Sequence, residues 1–235
     1  MLMRLVSKLP SLWQNELKRI HYRRQIQNNQ FATSEPEYGI LPNLIFSGNL
    51  VIDIGANVGH YTKRFSELVG QNGRVISFEP VPETFALLAA NVQLFPYRNV
   101  TLLNAAISNK FDLIEMSIPS FDTGLKNFYQ ARLAIDTPSQ ESLSVITLSL
   151  DSLNISKHIS LVKIDTEGHE SQVIEGMVDI ILRDHPTLIV ETNSHDIEKK
   201  LINMGYRTKK LSGSPNMLFL YGLNPTNVLL TTNTP

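Results

Sequence analysis

Cysteine is absent from this chain, which rules out disulfides, a thiolate nucleophile and a cysteine-held metal, and fits a cytoplasmic protein. No apolar run approaches the roughly 20 residues that a membrane-crossing helix needs. The opening M-L-M-R-L-V-S-K-L-P lacks the apolar centre of a secretory signal. Charge is scarce as well. Only 18% of the residues are charged and the net charge is −1, so a surface built wholesale for nucleic acid is not expected. Repeats and low-complexity runs are missing. What remains is a chain of 235 residues with 42% hydrophobic content, enough to bury the core of one α/β domain and too apolar for global disorder.

The little charge there is lies unevenly. Residues 1–30 hold Arg4, Lys8, Lys18, Arg19, Arg23 and Arg24 against Glu16 alone, a charge of +5, so the rest must carry −6. Among these cations Leu9, Leu12, Trp13, Leu17 and Ile20 fall near helical spacing and predict an amphipathic helix. Three placements compete for it: docked on the domain as a lid or dimer arm, laid on an anionic membrane surface as a peripheral contact, or left as a solvated end. Residues 31–48 contain Pro36, Gly39, Pro42 and Gly48 and read as a linker. Residues 1–40 are therefore set apart from a main domain over 41–222 and from a loose Asn/Thr/Pro-rich tail over 223–235.

The main domain opens with a strand at 50–54 and a helix over 58–69 that turns Tyr61, Phe65 and Leu68 to one side. The strand R-V-I-S-F follows, then a helix over 83–95 and a third strand at 99–103. This order predicts the first half of a doubly wound, mostly parallel α/β sheet. Residues 107–142 interrupt it. There I-E-M-S-I alternates strictly, and residues 146–150 return to Asp151, so an antiparallel pair is expected. Phe121, Phe128 and Tyr129 mark the excursion as an acceptor-facing insertion. Winding resumes with a strand at 161–164, a helix over 171–182, a strand ending at Glu191, a helix over 195–204 and two closing strands at 206–211 and 216–221.

The stretch V-I-D-I-G-A-N-V-G-H-Y, residues 51–61, is a strand, a glycine turn and a helix start. Glycine lets the backbone approach a ligand, and the helix N-terminus offers unpaired N–H groups. The spacing of Gly55, Asn57 and Gly59 is not the G-x-G-x-x-G of a dinucleotide turn, and Asn57 crowds the place a pyrophosphate would take. With Asp53 two residues before Gly55, the turn suits a cofactor that has a positive end and no phosphate. S-adenosylmethionine meets that description. Asp53 would receive its ammonium and Glu79, ending the second strand, its ribose hydroxyls. Asn104 with the Ala105 amide would read the adenine edge. All these residues fall at carboxyl ends of strands, where ligands of such sheets bind.

A second cluster is Asp165-Thr-Glu167-Gly-His169-Glu170, at the end of the 161–164 strand. Acids in a first helical turn are favoured by the helix dipole whether or not they work, which accounts for Glu170. Asp165, Glu167 and His169 are candidate catalytic groups, able to take a hydroxyl proton. Lys163 points the same way as Asp165, and a buried lysine needs such a partner. Asp165 and Glu167 could also ligate Mg²⁺, although their spacing is not diagnostic and no metal site is assigned.

Together V-I-D-I-G-A-N-V-G, F-E-P, N-A-A-I-S, V-K-I-D-T-E-G-H-E and I-V-E-T resemble the FkbM family of S-adenosylmethionine-dependent methyltransferases, in order from about residue 50 to 221. The resemblance implies the class I, Rossmann-like fold, with a seven-stranded sheet whose last strand is antiparallel. It implies methyl transfer to a hydroxyl of a sugar, glycan or polyketide-type small molecule. Asp53, Gly55, Asn57 and Gly59 match the family's cofactor loop, Glu79 its ribose acid, and Asp165, Glu167 and Glu170 its fourth block. His169 stands where other members often carry a small residue. Two alternatives stay open: a nicotinamide-dinucleotide oxidoreductase of similar fold, and a non-catalytic cofactor-binding interaction module.

Overall fold

A computed structural model of the chain describes residues 11–118, 132–133 and 142–222. The aromatic residues Phe121, Phe128 and Tyr129 and the 223–235 tail lie outside the described residues. The chain opens with helix α1 (Ser11–Gln27) and the short helix α2 (Pro36–Ile40). It then winds through β1 (Leu50–Ile54), α3 (His60–Val69), β2 (Arg74–Phe78), α4 (Pro82–Val92) and β3 (Val100–Leu103). A small sheet comes next: β4 (Ala106–Ile107), β5 (Asp112–Ser117), β6 (Arg132–Leu133) and β7 (Ser142–Leu148). The main winding ends with β8 (Ile159–Ile164), α5 (Glu170–Glu175), α6 (Val178–Asp184), β9 (Thr187–Glu191), α7 (His195–Asn203), β10 (Tyr206–Lys210) and β11 (Asn216–Tyr221).

The main sheet has seven strands in the order β10-β11-β9-β8-β1-β2-β3. Only β11 runs against its neighbours, wedged between β9 and β10. Buried on both faces, the central strands are nearly continuous apolar runs, as a parallel sheet between two helical layers requires. Alternation still sorts their side chains. Ile52 and Ile54 of β1 pack with Val173, Ile174, Ile180 and Leu201 on one face. Val51 joins Phe65, Val69 and Leu41 on the other. Asp53 follows Val51 by two and so lies on the α3 face, where Thr62 meets it.

The antiparallel pair expected in the excursion is present, with Ile114 beside Val145 in the β5–β7 ladder. Two other expectations fail. The single helix over 171–182 is two helices, parted at Gly176 and Met177, where Gly176 lies so close to Ser108 that a Cβ there would sit 1.9 Å from its carbonyl oxygen. Asp151 then caps the second helix: its carboxylate accepts the amides of Asp179 (3.1 Å) and Ile180 (3.0 Å). The linker over 31–48 is a packed strap, with Phe31, Leu41, Leu44 and Ile45 in the core.

Helix α1 does dock, but by the opposite side from the expected one. Tyr22 and Ile26 pack with Phe31, Val58, Leu87, Leu88 and Phe95. Trp13, Leu17 and Ile20 stay exposed. The docked side recurs at 22 and 26 among polar residues, so the more apolar stripe was not the one that met the domain.

Asp151→Ala should lower unfolding free energy by about 1 kcal/mol, the ordinary worth of an N-terminal cap. Urea denaturation monitored by circular dichroism checks this; an unchanged midpoint would mean that water replaces the cap fully.

Candidate active site

The register of three strands assembles the site. Asp53 of β1 lies beside Ser77 of β2 on one side and Lys163 of β8 on the other. Lys163 in turn lies beside Ile189 of β9. Two residues further along those strands, on the same face, come Asp165 and Glu191. A cleft of about 380 Å³ opens over these strand ends, large enough for a small cofactor. Its described lining includes six carboxylates, from Glu35, Asp53, Glu79, Asp165, Glu167 and Glu191, and a single lysine, Lys163.

Lys163 is buried, with its ammonium 2.7 Å from Asp165 Oδ2 and 4.5 Å from the centre of the Tyr61 ring. Burial works against its charge, but the charges of Asp165, Asp53 and Glu35 outweigh it and hold the lysine protonated. The same partnership sets Asp165. Burial opposes its ionisation, yet the Lys163 charge and a hydrogen bond with Glu191 keep its carboxyl below the ordinary range. Glu191 receives the opposite treatment. Burial, then its hydrogen bond with Asp165 and the Asp165 charge, push it up to about 8. The two acids thus share a proton, and titrate as a pair rather than singly.

Asp53 is fully buried. Its Oδ2 accepts the Thr62 hydroxyl at 2.6 Å, while Oδ1 is buried with no hydrogen-bond partner. Burial pushes its carboxyl up to about 6. Glu79 holds the turn: Oε2 accepts the Asn57 amide at 2.9 Å and Oε1 the Val81 amide at 3.0 Å. These bonds favour its charge but burial exceeds them, lifting it to about 7. Gly55 is obligatory where the turn meets β8, since a Cβ there would sit 1.8 Å from the Asp165 carbonyl oxygen. Asn57 takes a left-handed φ of 51° and accepts the Val58 amide on its own side-chain oxygen.

The expected residues do not all converge. Asp53, Gly55, Asn57, Glu79, Ala105, Asp165, Glu167 and His169 line the cleft; Gly59 and Asn104 do not. Gly59 sits at the start of α3. The Asn104 amide donates to the carbonyls of Glu79 (2.8 Å) and Pro80 (3.0 Å), pinning the loop after β2. His169 is buried and its Nε2 lies 2.9 Å from the Ser108 hydroxyl, with its pKa lowered by burial. Glu167 is exposed at the cleft, in a left-handed φ of 54°. Glu170 anchors that loop, its Oε1 accepting the Thr166 hydroxyl and the Gly168 amide, both at 2.9 Å.

Two lining carboxylates were not singled out from the chain as site residues. Glu191 could have been found by the same strand-end argument that picks Asp165. Glu35 could not: it arrives on the strap ahead of β1, where Tyr61 donates its hydroxyl to Glu35 and, at 3.0 Å, to Glu37, and Asn216 holds Glu37 from β11.

A mostly parallel seven-stranded sheet with one reversed strand, and acids at the ends of its central strands, defines a class I, Rossmann-like methyltransferase architecture. Residues 53–208 match the model of the methyltransferase FkbM domain. The chain belongs to that family, and its cofactor is S-adenosylmethionine. It is 26% identical to the hexuronic acid methyltransferase AglP of Haloferax volcanii over 132 residues, 55% of this chain and 50% of that one. It is 34% identical over 56 residues to a protein-L-isoaspartate O-methyltransferase of Methanothrix thermoacetophila, 24% of this chain and 27% of that protein. In structure it is similar to an FkbM methyltransferase of Methylobacillus flagellatus, at a TM-score of 0.55 and 16% identity, covering 76% of this chain and 45% of that one. The chain thus spans half or less of the length of each of these relatives.

The residues present fit the cofactor. The partnerless Asp53 Oδ1 is the acceptor an ammonium needs, in a place where leaving it unpaired is costly. Both Glu79 oxygens, each holding one amide, retain a lone pair for a ribose hydroxyl.

Glu79→Gln should weaken S-adenosylhomocysteine binding roughly tenfold or more, as loss of one charge-assisted hydrogen bond implies. Unchanged affinity in a calorimetric titration would remove Glu79 from the ribose. A second test uses pH. Asp53 and Glu79 are partly protonated near pH 6–7 in the free protein. A cationic ligand favours their ionised forms, so binding should release protons there, and affinity should rise as pH climbs from about 5 towards 8. Calorimetry of S-adenosylmethionine in two buffers of different ionisation heat measures the release, which Asp53→Asn should reduce.

Proposed function

We propose that the chain transfers a methyl group to a neutral hydroxyl of a small molecule or glycan. The observation that carries this reading is the acid pair Asp165–Glu191 at the cleft, with Asp165 held ionised by Lys163. When bound, the sulfonium cofactor supplies an already activated methyl group, so the protein's tasks are alignment, exclusion of water and removal of the acceptor's proton. Asp53 would hold the ammonium end and Glu79 the ribose, leaving Asp165 and Glu191 at the ends of β8 and β9 for the acceptor's proton.

The Asp165–Glu191 pair is the proton acceptor in this reading, with Asp165 held ionised by Lys163 and Glu191 the member that keeps the proton. With one proton shared, the pair is a weak base; once that proton leaves, near pH 8, the pair becomes a stronger one. Glu167 and His169 border the same space and are the remaining candidates for that duty. Charge supports a hydroxyl rather than an acidic acceptor. Apart from His60 and His169, the described lining offers only Lys163 as a cation, and Asp165 already holds it. The relative AglP is described as acting on a hexuronic acid. A carboxylate acceptor here would meet a wall of acids.

Asp165→Asn should lower turnover about 10²- to 10⁴-fold with S-adenosylhomocysteine affinity little changed. Loss of affinity as well would move Asp165 to the cofactor. Turnover should rise with pH to a plateau above about 8, and Glu191→Gln should abolish that ionisation. A screen with methyl-labelled cofactor against polyhydroxyl compounds and uronic acids tests the acceptor class. Label recovered as a base-labile ester on uronic acids would overturn the hydroxyl reading.

A further inference from the structure

Helix α1 has two faces and the domain uses one. Tyr22 and Ile26 are buried against α4 and the strap, and Lys18 on the same side is partly buried. On the opposite side Trp13 is 65% exposed, Leu17 43% and Ile20 46%, at spacings of four and three that make one stripe about 10 Å long. Arg24 continues the stripe and Arg23 borders it beside Ile20, while Arg19 lies round towards the docked side; all three are exposed. Arg19 pairs with Glu16 at 2.8 Å, whereas Arg23 and Arg24 form no ion pair among the described residues. Arg4 and Lys8 precede the helix in sequence, and the first thirty residues carry +5 while the remainder carries −6.

We propose that this outer face of α1 docks on an anionic lipid surface. An apolar stripe with an interfacial tryptophan and flanking arginines is the composition that lies at a membrane interface, and each cation near anionic headgroups adds to the attraction. The charge split also orients the molecule, since the acidic remainder is repelled by the same surface that attracts α1. A second copy of the chain fits less well. A two-fold contact would set Arg23 and Arg24 against the same pair of the other copy, across a stripe of only three apolar side chains. The helix rests on the cleft wall through Tyr22 and Phe31, whose rings lie 6.3 and 4.2 Å from that of His60, a lining residue. Docking would therefore hold the cleft near the surface.

Trp13 is the only tryptophan of the chain, so its fluorescence reports on this face alone. The full chain is mixed with phosphatidylcholine vesicles and with vesicles containing about one-third phosphatidylglycerol, and followed by emission and co-sedimentation. Binding with a blue shift is expected on the anionic vesicles only, weakening about tenfold or more as salt is raised. It should be lost in L17S/I20S and in R19E/R23E/R24E. These positions are outside the core, and retained S-adenosylhomocysteine affinity verifies that the variants are folded. No binding to anionic vesicles, equal binding to both kinds, or a doubled mass with blue-shifted emission in the absence of lipid would each overturn the proposal. None of these readouts depends on methyl transfer.

Discussion

The buried ammonium of Lys163 is the interaction on which the site depends. It lies between Asp53 and Asp165 on neighbouring strand positions and against the Tyr61 ring. One cation cannot neutralise the acids crowded around it, and their protonation follows from who is nearest. Asp165 is in direct contact and stays ionised; Asp53, Glu79 and Glu191 are pushed towards neutrality by burial. An ion pair at this depth adds little net stability, because desolvation offsets the attraction. Its consequence is a division of labour. A single lysine leaves one acid charged and the others close to neutrality.

Backbone packing makes that arrangement possible. The Gly55 turn presses directly on the Asp165 carbonyl, so β1 and β8 end at the same height and deliver Asp53 and Asp165 to one cleft. Glu79 ties the turn to β2, and Asn104 ties the end of β2 to the segment after β3. Three strand ends are joined by hydrogen bonds that use side chains as braces, β8 is joined to β1 by backbone, and the remaining acids line the cleft.

The family match begins at residue 53, yet the cleft is not finished by residues within it. Thr33 and Glu35 line it from the strap, and Pro215 from the β10–β11 turn. Glu37, Tyr61 and Asn216 join strap, α3 and β11 in a buried polar cluster. Helix α1 then braces the strap through Phe31. The segments ahead of β1 are therefore part of the cleft wall.

Much of this was legible in the chain. The alternation of strands and helices, the glycine turn and the acids that end β1, β2 and β8 follow from local periodicity and from residues within a few positions of one another. Those signals are sufficient because a parallel strand buried on both faces must be apolar until it ends, so an acid there marks the mouth of the sheet. The pairing of Lys163 with Asp165, two apart in one strand, was also foreseeable, and tertiary structure decided which other groups meet. The register that sets Lys163 beside Asp53, and Asp165 beside Glu191, joins residues more than twenty apart. Glu35 reaches the cleft only because the strap folds back. Asn104 spends its amide on backbone carbonyls that its own neighbourhood does not contain. The helix over 171–182 breaks at Gly176, which Ser108 approaches from just beyond β4. Helix α1 was foreseeable, but not its docked face, since that choice rests on the shape of the surface it meets. Local propensity is a property of the segment; register, burial and charge pairing are properties of the whole fold.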